Sequence, residues 1–206
     1  MNSNQAKKLK VKSNHLVIIS IIWLILFIII AEIVVPKEYN VINDTISKLA
    51  AQGYENRWIM QIGFLGFALI FIFAQFFKFY EKRKAFWPDL FLIGSAILFL
   101  PITFFKAQSF DESIPFSIKE DLWHNILAII VVSLFSLGIS GYMLKSHGKN
   151  RLYHFIFLLL ILLTSLLFVL SQNGIIPGLG LIQRAMFLVG LIWLIWINRQ
   201  TKERIA

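Results

Sequence analysis

The sequence predicts an all-α integral membrane protein: a bundle of six transmembrane helices with both termini on the cytoplasmic side. Three observations carry that expectation. The chain has 206 residues, 58% hydrophobic and 15% charged, against about 45–50% and about 25% in a soluble domain, and its mean hydropathy is +0.73. Six apolar runs each approach the about 20 residues that a helix needs to cross about 30 Å of hydrocarbon. Lys and Arg divide 14 to 5 between the two sides those runs define, with Arg184 alone inside a run, and the richer side is cytoplasmic by the positive-inside rule. So apolar a composition excludes a disordered chain. The runs are too long and too uniform for barrel strands. The absence of cysteine excludes disulfides and thiolate chemistry. No nucleic-acid motif is present and no cofactor is implied.

Residues 1–15 form a basic cytoplasmic segment carrying Lys7, Lys8, Lys10 and Lys12. The run behind it, Leu16 to Val35, is longer than a signal-peptide core and no small-residue cleavage site closes it, so it reads as an uncleaved first helix opening a membrane domain over 16–198. The outer loop 36–57 follows. Within it Asp44 is placed to cap a short helix and Gly53 to end it, while Ile46, Leu49 and Ala50 make one apolar stripe. The second and third runs, Trp58 to Phe77 and Phe86 to Phe105, are joined by a basic inner connection containing Lys78, Lys82, Arg83 and Lys84. Asp89 reads as a helix-start anion beside Arg83 and Lys84, and Pro101 as a kink. In the outer loop 106–122, Ser117 and Glu120 fit a capping box. The fourth and fifth runs are Trp123 to Leu144 and Leu152 to Leu170. The short outer loop 171–180 leads to the sixth, Leu179 to Ile197, and a basic tail, 199–206. Gly63 with Gly66, and Ser133, Ser136 and Ser140 with Gly141, are small-residue stripes for close helix contact; Gln75 and Thr164 read as interhelical hydrogen bonders. Trp58 and Trp123 mark the outer interface, Trp87 and Trp196 the inner one.

Chemistry concentrates on the outer side, where Glu38, Asp44, Glu55, Asp111, Glu112, Glu120 and Asp121 gather. Arg184 is the most informative residue. A span ending at Ile197 must begin near Gly178, which puts Arg184 about 9 Å below the outer surface, where an unpaired guanidinium costs about 2–3 kcal/mol. Either it snorkels to the headgroups or it points into the bundle and pairs. Glu32, at similar depth with opposite charge, is the expected partner, and Asp44 a second. Arg184, Gln183, Glu32, Asp44 and Ser47 form the candidate ligand-binding set, with Arg184 suited to an anionic head group. His124 stands at the outer boundary with Asp121 one turn before it, the arrangement of a base and its orienting carboxylate; these two are the catalytic candidates. The other histidines lie on the inner side, so a zinc site is disfavoured and no metal ligand is assigned. A carboxylate-rich grouping of Asp44, Asp111, Asp121 and His124 stays open.

The run Asn43-Asp44-Thr45-Ile46-Ser47-Lys48-Leu49-Ala50-Ala51, the following Asn56-Arg57-Trp58 and Gly63-Phe64, His124 with Ala128, and Gly180-Leu181-Ile182-Gln183-Arg184 together resemble the domain-of-unknown-function 998 family. The resemblance covers most of the chain, though the stretch Thr103 to Asp111 departs from it. It implies a prokaryotic multi-spanning protein of the cytoplasmic (inner) membrane, and no activity. Three functions compete: binding of a membrane lipid or amphiphilic ligand in an outward polar pocket; an intramembrane enzyme acting on such a molecule with His124 as acid or base; and a small-solute transporter, disfavoured because only Pro101 interrupts a helix.

The charge asymmetry makes a direct prediction. Topology reporters fused after Ala206 and within the loop at Asp111 should report opposite sides of the membrane, with the Ala206 fusion cytoplasmic; matching reports would refute the topology.

Overall fold

A computed structural model describes residues 3–82, 87–111 and 113–203. Arg83, Lys84, Phe86, Glu112, Arg204 and Ala206, which figure in the expectations above, lie outside them. Six α-helices form: α1 Ser3–Val34, α2 Arg57–Lys82, α3 Trp87–Ile102, α4 Ile118–Lys145, α5 Gly148–Gln172 and α6 Leu179–Glu203, with one short 3-10 helix, Ile46–Ala50, between α1 and α2; no strand occurs among the described residues. Five of the helices are long and apolar enough to cross a membrane. In their apolar windows only 22–44% of residues are buried inside the protein, so each span turns most of its side chains outward. In water that surface would drive aggregation; in hydrocarbon it costs nothing. The chain is a multi-pass integral membrane protein.

Two elements differ from expectation. α1 continues through the basic segment to Ser3 and does not begin at Leu16. α3 has 16 residues and ends at Ile102, so by length it falls short of the other five. The end is a turn closed on the carbonyls of Leu100 and Pro101. Thr103 N donates to Leu100 O at 3.0 Å, and Phe104 N and Phe105 N both turn back to Pro101 O at 2.9 and 3.0 Å. The chain therefore closes into a turn where a kinked continuation to Phe105 was expected. The N-cap of α4 is as predicted, with Ser117 Oγ accepting from Glu120 N at 3.4 Å.

Each helix packs against its neighbours in the chain, and α6 returns to touch α1, where the contact is sparsest. Among the described residues no other helix backbones come close; across the ring it is side chains that meet, as Phe135 of α4 does Trp193 of α6. The result is a six-helix ring. Its long loops lie at one end, and at the other lie the short α4–α5 connection, the start of α1 and the end of α6.

Small residues set the closest approaches, as expected for helices in hydrocarbon. A Cβ on Gly66 would overlap the Trp23 indole nitrogen, and one on Gly63 would sit 2.6 Å from Phe27 Cβ. Trp23 Nε1 donates to Ile62 O at 3.2 Å, completing the α1–α2 contact. Between α3 and α4 the same job falls to Gly138 and Gly141, which lie under Leu92 and under Trp87 with Pro88. The serines expected in that stripe act within their own helix: Ser133, Ser136 and Ser140 donate to Ile129, Val132 and Ser136 carbonyls at 2.8–2.9 Å. Thr164 likewise bonds Leu160 O and Ile161 O on α5, which corrects its interhelical assignment, and Gln75 is buried with its Oε1 unpartnered.

Gly66→Val should separate α1 from α2, because the branched side chain must displace a packed indole. Overpacking of this kind costs about 1–3 kcal/mol. Thermal unfolding in detergent should show a lowered midpoint for Gly66→Val and little change for Gly190→Ala, whose Cβ would lie at ordinary contact distance, 3.5 Å, from Phe135.

Candidate functional site

At the long-loop end, the segment between α1 and α2 folds down over the ring. Its 3-10 helix buries Ile46, Leu49 and Ala50, the predicted stripe. Asp44 does not cap that helix, since Thr45 holds the N-cap position without a side-chain bond. Asp44 instead closes its own loop: Oδ2 accepts from Asn40 N at 2.8 Å and Oδ1 from Lys48 Nζ at 2.9 Å. The helix ends at Ala50. Gly53 lies beyond it at φ 73°, where a Cβ would collide with Ile114 of the neighbouring loop.

Arg184 points into the bundle. Nε and one terminal nitrogen donate to Glu32 Oε1 at 3.1 and 2.6 Å. That second nitrogen also donates to Tyr39 Oη at 2.6 Å. The other donates to the carbonyls of Val41, Asp44 and Gly180 at 2.8, 3.0 and 3.1 Å. The side chains of Arg184 and Glu32 keep 19% and 28% exposure. Every guanidinium nitrogen is therefore engaged by this chain. The fork offered to an anionic head group is filled from within, and Asp44 contributes its carbonyl where its carboxylate was expected. The loop reaches α6 closely because position 180 is glycine: a Cβ there would fall on Asp44 O and Val41 O. Leu181 N donates to Ile42 O at 3.1 Å, satisfying one of the orphan N–H groups of the first turn.

Tyr39 was missed by sequence reasoning, since one loop tyrosine carries no spacing signal. Its hydroxyl sits between the Arg184 donor and the carbonyls of Asp44 and Thr45, at 3.2 and 3.1 Å. Burial, with Glu32 and Asp44 adding to it against the opposing pull of Arg184, pushes its pKa up to about 12. Gln52 was also missed. It donates to Lys106 O and Ser117 O and accepts from Ser117 N at 2.7 Å, which stitches the two long loops together and takes the half of the capping box expected of Glu120. Lys106 pairs with Glu120 at 3.5 Å.

Gln183, one step round the helix from Arg184, behaves as its rotation predicts. Its Oε1 accepts from Ile46 N at 2.6 Å and its Nε2 donates to Ser47 Oγ at 3.3 Å. This pair hangs the 3-10 helix over a central cavity of about 140 Å³. Ser47, Gln183 and His124 line the cavity toward the loop end, with Ser95 the other polar side chain, and phenylalanine, from α2, α3, α4 and α6, is its commonest lining residue. The aromatic wall is locked edge to face, Phe64 on Phe99 at 5.3 Å and Phe67 on Phe99 at 5.6 Å. From Gln183 to Leu194 the lining runs eleven residue steps along α6, about 16 Å at the helical rise.

His124 and Asp121 do not form a dyad. His124 Nδ1 donates to Phe105 O at 2.8 Å. Asp121 accepts from Gln108 N at 2.7 Å and from Asn125 Nδ2 at 3.0 Å, so it orients a loop and not the imidazole. Asp44, Asp111, Asp121 and His124 are likewise not gathered: among the described residues no three acidic or histidine side chains share a metal-sized site. Asp111 holds Ser113 through its N–H at 2.9 Å and its hydroxyl at 2.6 Å, and those two donors lower its carboxyl pKa.

A second polar cluster lies toward the short-loop end. Tyr142 donates to Asp89. Its ring stacks on His154 at 5.7 Å, and Trp193 Nε1 donates to His154 Nδ1 at 3.1 Å. Asp89, His154 and Trp193 are all buried. Asp89 is thus an interior acceptor linking α3 to α4, more than the solvated helix-start anion expected. At that end too, Asn198 Nδ2 donates to Asn14 O at 2.9 Å across the α1–α6 seam.

Arg184→Ala leaves Glu32 without its cation. Breaking a fully buried pair costs about 3–5 kcal/mol, and here the partial exposure brings the expected loss to about 2–3 kcal/mol. Glu32→Gln in the same background should recover part of it. The check is the unfolding midpoint of the three detergent-solubilised proteins; a double variant no better than Arg184→Ala would show that the pair's charge is not what matters.

A family model described as "Protein of unknown function (DUF998)" matches residues 17–199. No curated protein and no solved structure matches the chain.

Proposed function

The chain belongs to the DUF998 family, and from that premise we propose that it binds a single-chain amphiphile, tail inward, in the cavity at the centre of its helix ring. One observation carries the reading: a lining about 16 Å long that is apolar apart from Ser95, whose hydroxyl is turned to Val131 O, and that gathers its other polar side chains beneath the 3-10 helix, at Ser47, Gln183 and His124. That length is about half the hydrocarbon thickness of a bilayer, the reach of one lipid tail. A mostly apolar cleft with a few convergent polar groups is the usual form of a small-molecule site. Gln183 and Ser47 of the candidate ligand set take part in it. Arg184, Glu32 and Asp44 support it from outside, by holding the loop that forms its roof.

The enzyme reading has less support. His124 is in the cavity wall, but its expected carboxylate partner is occupied elsewhere. Six spans, cytoplasmic termini and the cytoplasmic membrane of a prokaryote remain part of this proposal and rest on the charge asymmetry and the family resemblance.

Titration of the purified full chain with single-chain amphiphiles of increasing tail length should give saturable binding. Affinity should rise with tail length until the tail reaches about 15 Å, half the bilayer core, and then level off. Ala128→Phe, which puts a ring into the cavity wall, should weaken that binding by about tenfold or more, the equivalent of about 1.4 kcal/mol, with the protein still folded by its unfolding midpoint. Non-saturable uptake, or affinity unchanged by Ala128→Phe, would overturn the proposal.

A further inference from the structure

Resting on that reading, we infer that the head group held beneath the 3-10 helix is an uncharged hydroxyl, so that the ligand class is long-chain alcohols and hydroxyl-headed single-chain lipids, not phosphate- or carboxylate-headed ones. The argument is an inventory of donors and acceptors at the polar end of the cavity. Gln183 is fixed in the roof by its Oε1 on Ile46 N and one Nε2 proton on Ser47 Oγ, which leaves its second N–H to donate. Ser95 Oγ donates to Val131 O at 3.1 Å. Ser47 Oγ accepts from Gln183, and its own proton stays available to donate.

His124 is settled by its partner. Phe105 O can only accept, so Nδ1 carries the proton in their 2.8 Å contact. In the neutral ring Nε2 is then an acceptor, and it takes no hydrogen bond from the described residues. His124 is buried and lines the cavity. The polar end therefore offers an acceptor, His124 Nε2, and neutral donors, the Ser47 hydroxyl and the second Gln183 N–H. A hydroxyl supplies the complementary pair, a proton for Nε2 and a lone pair for Ser47.

A charged head fits badly. The nearest cation, Arg184, has every nitrogen engaged by Glu32, Tyr39 and three carbonyls. Lys48 is held by Asp44 at 2.9 Å. A phosphate or carboxylate would thus be desolvated without a counter-ion, against a histidine lone pair that repels it.

The test uses the full chain in nanodiscs, with tritiated dodecanol followed by scintillation proximity and empty nanodiscs as blank. Unlabelled dodecanol, dodecane and dodecyl phosphate compete. Dodecanol should compete at least about tenfold better than either of the others, the discrimination expected of one good hydrogen bond. His124→Asn keeps a donor for Phe105 O but removes the acceptor at the Nε2 position. It should bring dodecanol down to the level of dodecane and leave dodecane competition unchanged. Ser47→Ala should lower dodecanol competition in the same direction. Equal competition by all three molecules, or an unchanged dodecanol preference in His124→Asn, would overturn the hydroxyl assignment while leaving the cavity as a tail-binding site. Strongest competition by dodecyl phosphate would overturn it as well. Absence of any specific signal in the parent protein would remove the cavity reading itself.

Discussion

A guanidinium set below the surface of a helix bundle has to find acceptors, and the way Arg184 finds them determines how this ring closes. The contact between α1 and α6 is the sparsest in the ring, and helices in hydrocarbon gain nothing from burying apolar side chains against each other. Directional polar contacts are what remain. Arg184 supplies them at the loop end, reaching Glu32 on α1 and the carbonyls of the 36–45 loop from one position on α6. Asn198 supplies one more at the opposite end, to Asn14 O. The same guanidinium therefore closes the seam and pulls the loop inward, and the loop carries the 3-10 helix that roofs the cavity.

The cavity follows from the ring geometry. Six helices whose backbones approach only those beside them in the ring leave a centre too wide for backbone contact, and side chains have to fill it. Phenylalanines do most of that work, locked edge to face, and what they leave open is a slot and not a pore. Lower down, Phe135 against Trp193 at 5.4 Å and Trp193 against His154 join α4, α5 and α6 below it. The slot thus has an aromatic floor and a hydrogen-bonded roof. Its polarity changes along its length because the roof and the helix ends just beneath it bring the polar atoms, apart from Ser95, whose hydroxyl is turned to Val131 O.

Long-range pairing was legible in the sequence where charge at depth left few solutions. Arg184 needed a partner, Glu32 was the carboxylate inside an apolar run on the same half of the bilayer, and the two meet at 2.6 Å. Gln183 was legible because helical rotation sends it away from Arg184 toward the loop. What could not be read was backbone chemistry. The acceptors Val41 O, Asp44 O and Gly180 O belong to no residue type, so the sequence pointed to the Asp44 carboxylate when the carbonyl was meant. Tyr39 and Gln52 act through contacts set by loop geometry, and neither has a periodic signature. His124 and Asp121 share a helix face by spacing, yet Gln108 N and Phe105 O compete for them and win, because a loop amide and a turn carbonyl buried at a helix end must be satisfied first. The short α3 shows the same limit: apolarity extends to Phe105, but the backbone closes into a turn on the Leu100 and Pro101 carbonyls.

Glycine 180 links these levels. In sequence it opens the last helix and looks like an ordinary helix-start residue. In the fold it is the place where the backbone of one segment passes over another so closely that no Cβ fits. Were that position to carry a side chain, the loop carbonyls would move off the Arg184 nitrogens. The guanidinium would then keep Glu32 but lose the acceptors that saturate it, and would become the free cation that the sequence alone suggested. The neutral character of the cavity mouth therefore depends on a missing methyl group on the far side of the loop. Head-group selectivity and bundle closure are in this sense one property, because the acceptors that join α6 to the loop and α1 are the same ones that keep the arginine from binding an anion.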